Sequence, residues 1–154
     1  SLSQGEVMFM GSITELGIAF ADLIENQADW SRATFGTDDK RGPLGPLKHL
    51  AKEVQETIEA WNLETGSFGL EKSQAPNGAW IGPEELHIKT KMEMADLLIL
   101  VLDASRRAGI KPMQLIEAAQ SKMVENKKRT WPQASSDEPV EHIREVKNET
   151  DEGK

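Results

Sequence analysis

"EMADLLILVLDASRRAG", residues 93–109, is the stretch whose reading decides the fold. Its apolar density reads as a helix meant for burial on every side, yet it carries Glu93, Asp96 and Asp103. At about 100° per residue, Asp96 and Asp103 fall within about 20° of each other, with Glu93, Leu100 and Arg107 on the same stripe and Met94, Leu98 and Val101 opposite. Carboxylates are almost never fully buried unless something positive meets them. The acidic stripe therefore implies a metal or a basic partner, and an Asp103–Arg107 pair that merely orders the core is an open alternative.

Three further helices are expected around this one. Ile13, Leu16, Phe20, Leu23, Ile24 and Trp30 follow helical spacing, closed by the turn-like "FGTDDKRGPLGP" of residues 35–46. Pro46 suits a first helical position, after which Leu47, Leu50, Ala51, Val54, Ile58 and Trp61 form an apolar stripe that ends near Asn62. The connection 65–82, "TGSFGLEKSQAPNGAWIG", is long and rich in Gly, Ser, Pro and Asn, which reads as a lid, an oligomer arm or a mobile loop. Pro83 then starts the third helix, with Glu84 and Glu85 at the positive end of its dipole, and Gly109 caps it. Pro112 opens a fourth helix, with Ile116, Ala119 and Met123 inward and Pro132 as its stop. With no period-2 segment and no internal repeat, the fold is read as all-α, a four-helix bundle over 13–132 followed by an acidic C-terminal tail, 133–154.

Composition narrows the function. Twenty-six acidic residues against 18 basic ones give a net charge of −8, which disfavours nucleic acid as a partner. The absence of cysteine excludes disulfides and thiolate metal sites, and no apolar run is long enough to span a bilayer, so no membrane partner is expected. "GPLGPLKH" lacks the backbone N–H groups and the Lys-Ser/Thr of a phosphate loop. A single Glu-x-x-His, Glu84 to His87, falls short of a di-iron bundle when only His49 and His142 remain, and reads as a helix start.

The acidic pairs carry more. Glu53 and Glu56 stand at i and i+3, and Glu93 and Asp96 repeat that spacing on another helix. Taken alone, the first pair is a solvated face; if the two helices pack side by side, four carboxylates meet, a concentration of like charge tolerable only around hard cations such as Mg²⁺ or Mn²⁺. On the fourth helix Lys122, Asn126 and Arg129 lie within about 60° of one another. That stripe either holds a chain of phosphates or simply complements the helix dipole.

In order along the chain, Phe35–Gly36, "GPLGPLKHLAKEVQE" (42–56), "EMADLLILVLDASRRAG" (93–109), "KMVENKKRTWP" (122–132) and "EPVEHIR" (138–144) resemble the all-α, MazG-like nucleoside triphosphate pyrophosphohydrolases, in particular their dATP/dGTP diphosphohydrolase branch. The resemblance implies hydrolysis of dGTP and dATP at the α–β bond, with two or more Mg²⁺ or Mn²⁺ on Glu53, Glu56, Glu93 and Asp96. It further implies phosphate contacts from Lys122 and Arg129, a hydrogen bond from Asn126, a homodimer or homotetramer, and a cytoplasmic protein of bacterial or phage origin. Trp30 is the aromatic expected to stack on the base, unless it packs in the core. The 36 residues between Glu56 and Glu93 exceed the family's usual spacing, and Glu56/Glu59 is a rival register for the first pair. Two other functions fit the same residues: the same chemistry on dCTP or dUTP, and a non-catalytic helical interaction module.

Overall fold

A computed structural model describes residues 12–66, 73–74, 78 and 80–144. It is all-α, as expected, and consistent with a helical bundle: α1 runs Ile13–Phe35, α2 Leu44–Gly66, α3 Pro83–Arg107 and α4 Pro112–Lys128. The helix ends follow local chemistry. Ser12 caps α1, its Oγ accepting from Glu15 N (3.1 Å) while Glu15 Oε2 accepts from Ser12 N (2.7 Å), which satisfies two donors that a helix start leaves free. Pro83 opens α3, and Glu85 Oε2 accepts from Gly82 N (3.1 Å), so this acid serves the helix start. At the far end Gly109 takes φ +78°, a left-handed turn that ends the helix and that glycine adopts without a Cβ clash.

Two boundaries differ from the sequence reading. α2 begins two residues before Pro46 and continues to Gly66, since a proline within the first turn removes only an N–H that has no intrahelical acceptor. Inside the 65–82 connection, Ser73–Gln74 (β1) pairs antiparallel with Trp80–Ile81 (β2). Two residues per strand are too few to show an alternating pattern. Most of that connection, and with it the lid, arm or loop reading, lies outside the described residues, as does 145–154.

The chain divides into two compact units between Pro112 and Met113. In the first, α3 packs chiefly on α2 and less extensively on α1. The buried side chains are an unexpected set. α1 buries Gln27, Ala28 and Ser31, α2 buries Pro46, Glu53, Thr57 and Ala60, and α3 buries Leu86, Thr90, Leu102, Asp103, Ala104 and Arg107. The apolar stripes point elsewhere: Leu47, Val54, Ile58 and Trp61 of α2 and Met94, Leu98 and Val101 of α3 are exposed. Among the described residues, α3 is thus not covered on every side, and α2 turns inward the face that its sequence marks as polar. Hydrogen bonding makes that tolerable, with Thr57 Oγ1 donating to Glu53 O (2.8 Å) and Thr90 Oγ1 to Leu86 O (3.2 Å).

In the second unit α4 has no buried residue, so Ile116, Ala119 and Met123 are not inward within it. Past the helix, Ile143 N donates to Thr130 O (2.9 Å) and the Trp131 and His142 rings meet edge to face at 5.8 Å, returning residues 142–143 to the segment that follows α4.

Candidate active site

The side-by-side packing of α2 and α3 brings Glu53 to Glu93 and Asp96. One carboxylate oxygen from each lies within 4.8 Å of the other two, with Glu53 buried, Glu93 half-buried and Asp96 exposed. Oxygens sharing a hard cation each stand roughly 2.0–2.6 Å from it, so this spread matches the diameter of one coordination shell. Glu93 and Asp96 make no hydrogen bond among the described residues, which leaves their oxygens available. Glu53 is held from one side, where the His49 imidazole Nε2 lies 2.7 Å from its Oε1. Glu56 is not one of the converging three, although its carboxyl interacts with that of Glu53. Its Oε1 is 2.8 Å from Lys52 Nζ, and that ammonium draws the Glu56 carboxyl below the usual carboxylate range. Glu59 accepts from Gln55 Nε2 (3.1 Å) and takes no part in the cluster.

Beside the acids, a pocket of about 210 Å³ is walled by Trp30, Phe35, Ile99 and Leu100, with His49, Glu53 and Asp96 at one end and Gln27 and Asp103 also lining it. Trp30 is half exposed and meets Phe35 edge to face at 5.3 Å, so it is not a core residue. The Arg41 guanidinium covers the Phe35 ring at 4.8 Å.

The Asp103 end is a structural knot. Asp103 Oδ1 accepts from Ser31 Oγ (2.5 Å), Gln27 Nε2 (3.0 Å) and Arg106 Nη2 (2.6 Å), and Oδ2 accepts from Arg107 Nε (3.2 Å). Burial alone would raise its pKa; hydrogen bonds from Ser31, Gln27 and Arg106 and the Arg107 charge outweigh it and hold the carboxyl at about 2. Arg107, with a fully buried side chain, also donates to Ser31 Oγ (2.8 Å) and to the carbonyls of Gly36 (3.3 Å) and Arg41 (3.2 Å). Arg106 Nε reaches Asp38 Oδ1 (3.1 Å). The knot fastens α3 to α1 and to the turn between α1 and α2. A larger cavity, about 580 Å³, lies between α1 and the end of α3 beside Arg32 and Arg106, away from the acidic cluster, and both of these arginines are already paired with Asp38.

The phosphate residues expected on α4 belong to the second unit. There Lys122 Nζ pairs with Glu125 Oε2 (3.1 Å), Arg129 Nη1 donates to Asn126 Oδ1 (3.1 Å), and Trp131 Nε1 donates to Asn126 O (2.8 Å). His87 pairs with Glu64 through Nδ1 (2.8 Å), and no Glu84–His87 contact forms. The sequence reading passed over Lys52, His49, Gln27 and Ser31. The first two were open to detection, since Lys52 stands four residues before Glu56 and His49 four before Glu53, one helical turn in each case.

Three carboxylates from two helices thus converge beside an aromatic-walled pocket, an arrangement that could hold a metal ion. Residues 80–149 match the family model of dATP/dGTP pyrophosphohydrolases, consistent with the MazG-like resemblance, and that family is one of hydrolases. No curated protein and no solved structure matches the chain. The match contains Glu93, Asp96, Lys122, Asn126 and Arg129 and stops short of Glu53, Glu56 and Trp30. What joins Glu53 to the matched half is the packing of α2 on α3. None of the described helices is long and apolar enough to cross a membrane.

Proposed function

We propose that the protein hydrolyses dGTP and dATP between the α- and β-phosphates, releasing the monophosphate and pyrophosphate, with Mg²⁺ or Mn²⁺ held by Glu53, Glu56, Glu93 and Asp96. The observation that carries this reading is the meeting of Glu53 with Glu93 and Asp96, two of which, Glu53 and Asp96, also line the Trp30–Phe35 pocket. Divalent cations bound there supply positive charge to the phosphate oxygens and make water a better nucleophile at neutral pH. The chain's own groups do the rest. Glu53, buried beside His49, orients or deprotonates the attacking water in this reading; Lys122 and Arg129 neutralise phosphate, Asn126 hydrogen-bonds phosphate or sugar, and Trp30 stacks on the base.

The purine choice follows the family match, and the pocket carries one amide of set orientation. Gln27 Nε2 donates to Asp103 Oδ1, and Gln27 Oε1 accepts from Arg106 Nη1 (2.6 Å), so the amide cannot turn over to suit a base. The exposed apolar stripes of α2 and α3 support a homo-oligomer, dimer or tetramer.

Pyrophosphate release from each common nucleoside triphosphate, with and without Mg²⁺, tests the reading. Orthophosphate as first product would mean that a different bond is cut. Equal or faster turnover of dCTP or dUTP would retain the chemistry and overturn the substrate, and the absence of metal-dependent turnover would favour an interaction module.

A further inference from the structure

Lys52 brings a cation into the acidic site from within the chain. Its Nζ lies 2.8 Å from Glu56 Oε1, with both side chains well exposed. Glu53 and Glu93 as well as Glu56 act electrostatically on this ammonium. Three of the four expected ligands, Glu53, Glu93 and Asp96, converge without it, while Glu56 is occupied by it. A divalent ion approaching Glu56 would meet a like charge already paired with it and would have to displace that charge into water. An incoming triphosphate changes that balance, because its oxygens give the displaced ammonium a new charge-assisted partner. Lysine suits the exchange, being a compact charge on a flexible stem.

We propose that Lys52 is a built-in counter-ion that reserves Glu56, so that the site takes one divalent cation at Glu53, Glu93 and Asp96 in the free protein and admits a second at Glu56 only when a triphosphate draws Lys52 away. The inference rests on the metal-site reading above and adds an order of loading to it. Lys52 is a positioning residue here.

The test is calorimetric titration of the full chain with Mn²⁺, without nucleotide and then with a non-hydrolysable α,β-imido purine triphosphate. Wild type is expected to bind one equivalent alone and to gain a second with the analogue. Lys52→Met should bind two equivalents without nucleotide, or bind the second about tenfold more tightly, the low end of what one adjacent charge does to an ionic equilibrium. Lys52→Gln should repeat this result with a polar side chain, and Lys52→Arg should keep the wild-type behaviour. Adding Glu56→Gln to Lys52→Met should remove the extra equivalent, which ties it to Glu56. Without metal, Lys52→Met should melt below wild type, because four carboxylates lose their internal cation, and its Mn²⁺-induced rise in Tm should be the larger. Equal Mn²⁺ stoichiometry and affinity in wild type and Lys52→Met would overturn the role of Lys52 and leave the metal site standing. No Mn²⁺ binding in either protein would overturn the metal site and this proposal with it.

Discussion

Asp96 and Asp103 stand on one stripe of α3 and line the same pocket, yet their surroundings are opposite: Asp96 faces Glu53 and Glu93, whereas Asp103 lies among Arg106, Arg107, Ser31 and Gln27. By helix rise they are about 10 Å apart, too far to share an ion directly. Removing the Asp103 charge would leave Arg107, whose side chain is fully buried, with only the more distant Asp38 (3.9 Å) as counter-charge, while Arg106 would keep Asp38 at 3.1 Å. Asp103→Asn is therefore expected to cost roughly 3–5 kcal/mol, as when one partner of a buried pair is lost. Urea unfolding measures it, and a loss below about 1 kcal/mol, the scale of an exposed pair, would show that the knot is not structural.

The same residue sets a pH dependence. Its folded-state pKa, about 2, is depressed from 3.8, so its stabilising contribution is present above pH 3.8 and is lost as pH falls towards 2. The stability gap between wild type and Asp103→Asn should be flat above about pH 5 and narrow by roughly 2 kcal/mol by about pH 2. Unfolding curves at several pH values check this, and a gap that widens on acidification would contradict it.

Trp30 is the cleanest probe of the pocket, because a half-exposed ring with one aromatic neighbour contributes little to the fold. Trp30→Ala should raise KM for dGTP and dATP by roughly one to two orders of magnitude, the worth of one base–aromatic stack. Its stability loss should stay near about 1 kcal/mol, and Trp30→Phe should restore most of the affinity. Unchanged KM in Trp30→Ala would place the base elsewhere.

Helix identity was legible, and so were the starts of α3 and α4, because prolines and first-turn acids mark them locally, whereas both ends of α2 lay beyond the Pro46 and Asn62 that the sequence suggested. The Glu93/Asp96 pair was equally legible from helical spacing, whereas of the Glu53/Glu56 pair only Glu53 joins it. Which face of α2 turns inward was not legible. Periodicity points to Leu47, Val54, Ile58 and Trp61, whereas the chain buries Glu53, Thr57 and Ala60 against its neighbours. A single sequence shows that a face wants burial but not whether its own chain or another copy supplies the cover. The Asp103 knot was only half readable for a related reason. Arg107 sits one turn away, but Gln27, Ser31 and Asp38 come from 65 or more residues upstream and only packing unites them.

Assembly follows from those outward stripes. Leu47, Val54, Ile58 and Trp61 on α2, with Met94, Leu98 and Val101 on α3, leave apolar surface that a second copy can cover. Light scattering is expected to give a dimer or tetramer at micromolar concentration. Ile58→Glu or Leu98→Glu should shift it towards monomer, because each puts a carboxylate where apolar contact is needed. A wild-type monomer with full activity would remove the assembly from the account.

The Asp96 carboxylate separates a metal ligand from a structural acid. In the metal-free protein its charge faces Glu53 and Glu93 and gains no hydrogen bond among the described residues, so it opposes folding and is offset only when cations bind. Asp96→Asn removes that repulsion at nearly constant size. The metal-free variant should melt at or above the wild-type temperature, pyrophosphate release should be abolished, and the rise in Tm on adding Mg²⁺ or Mn²⁺ should shrink or vanish, because a ligand stabilises only through the state that binds it. The contrast with Asp103→Asn makes the test sharp: one variant loses turnover with its fold intact, the other loses stability first. An Asp96→Asn protein that keeps near-normal turnover, or that unfolds readily without metal, would show that this acid serves the fold.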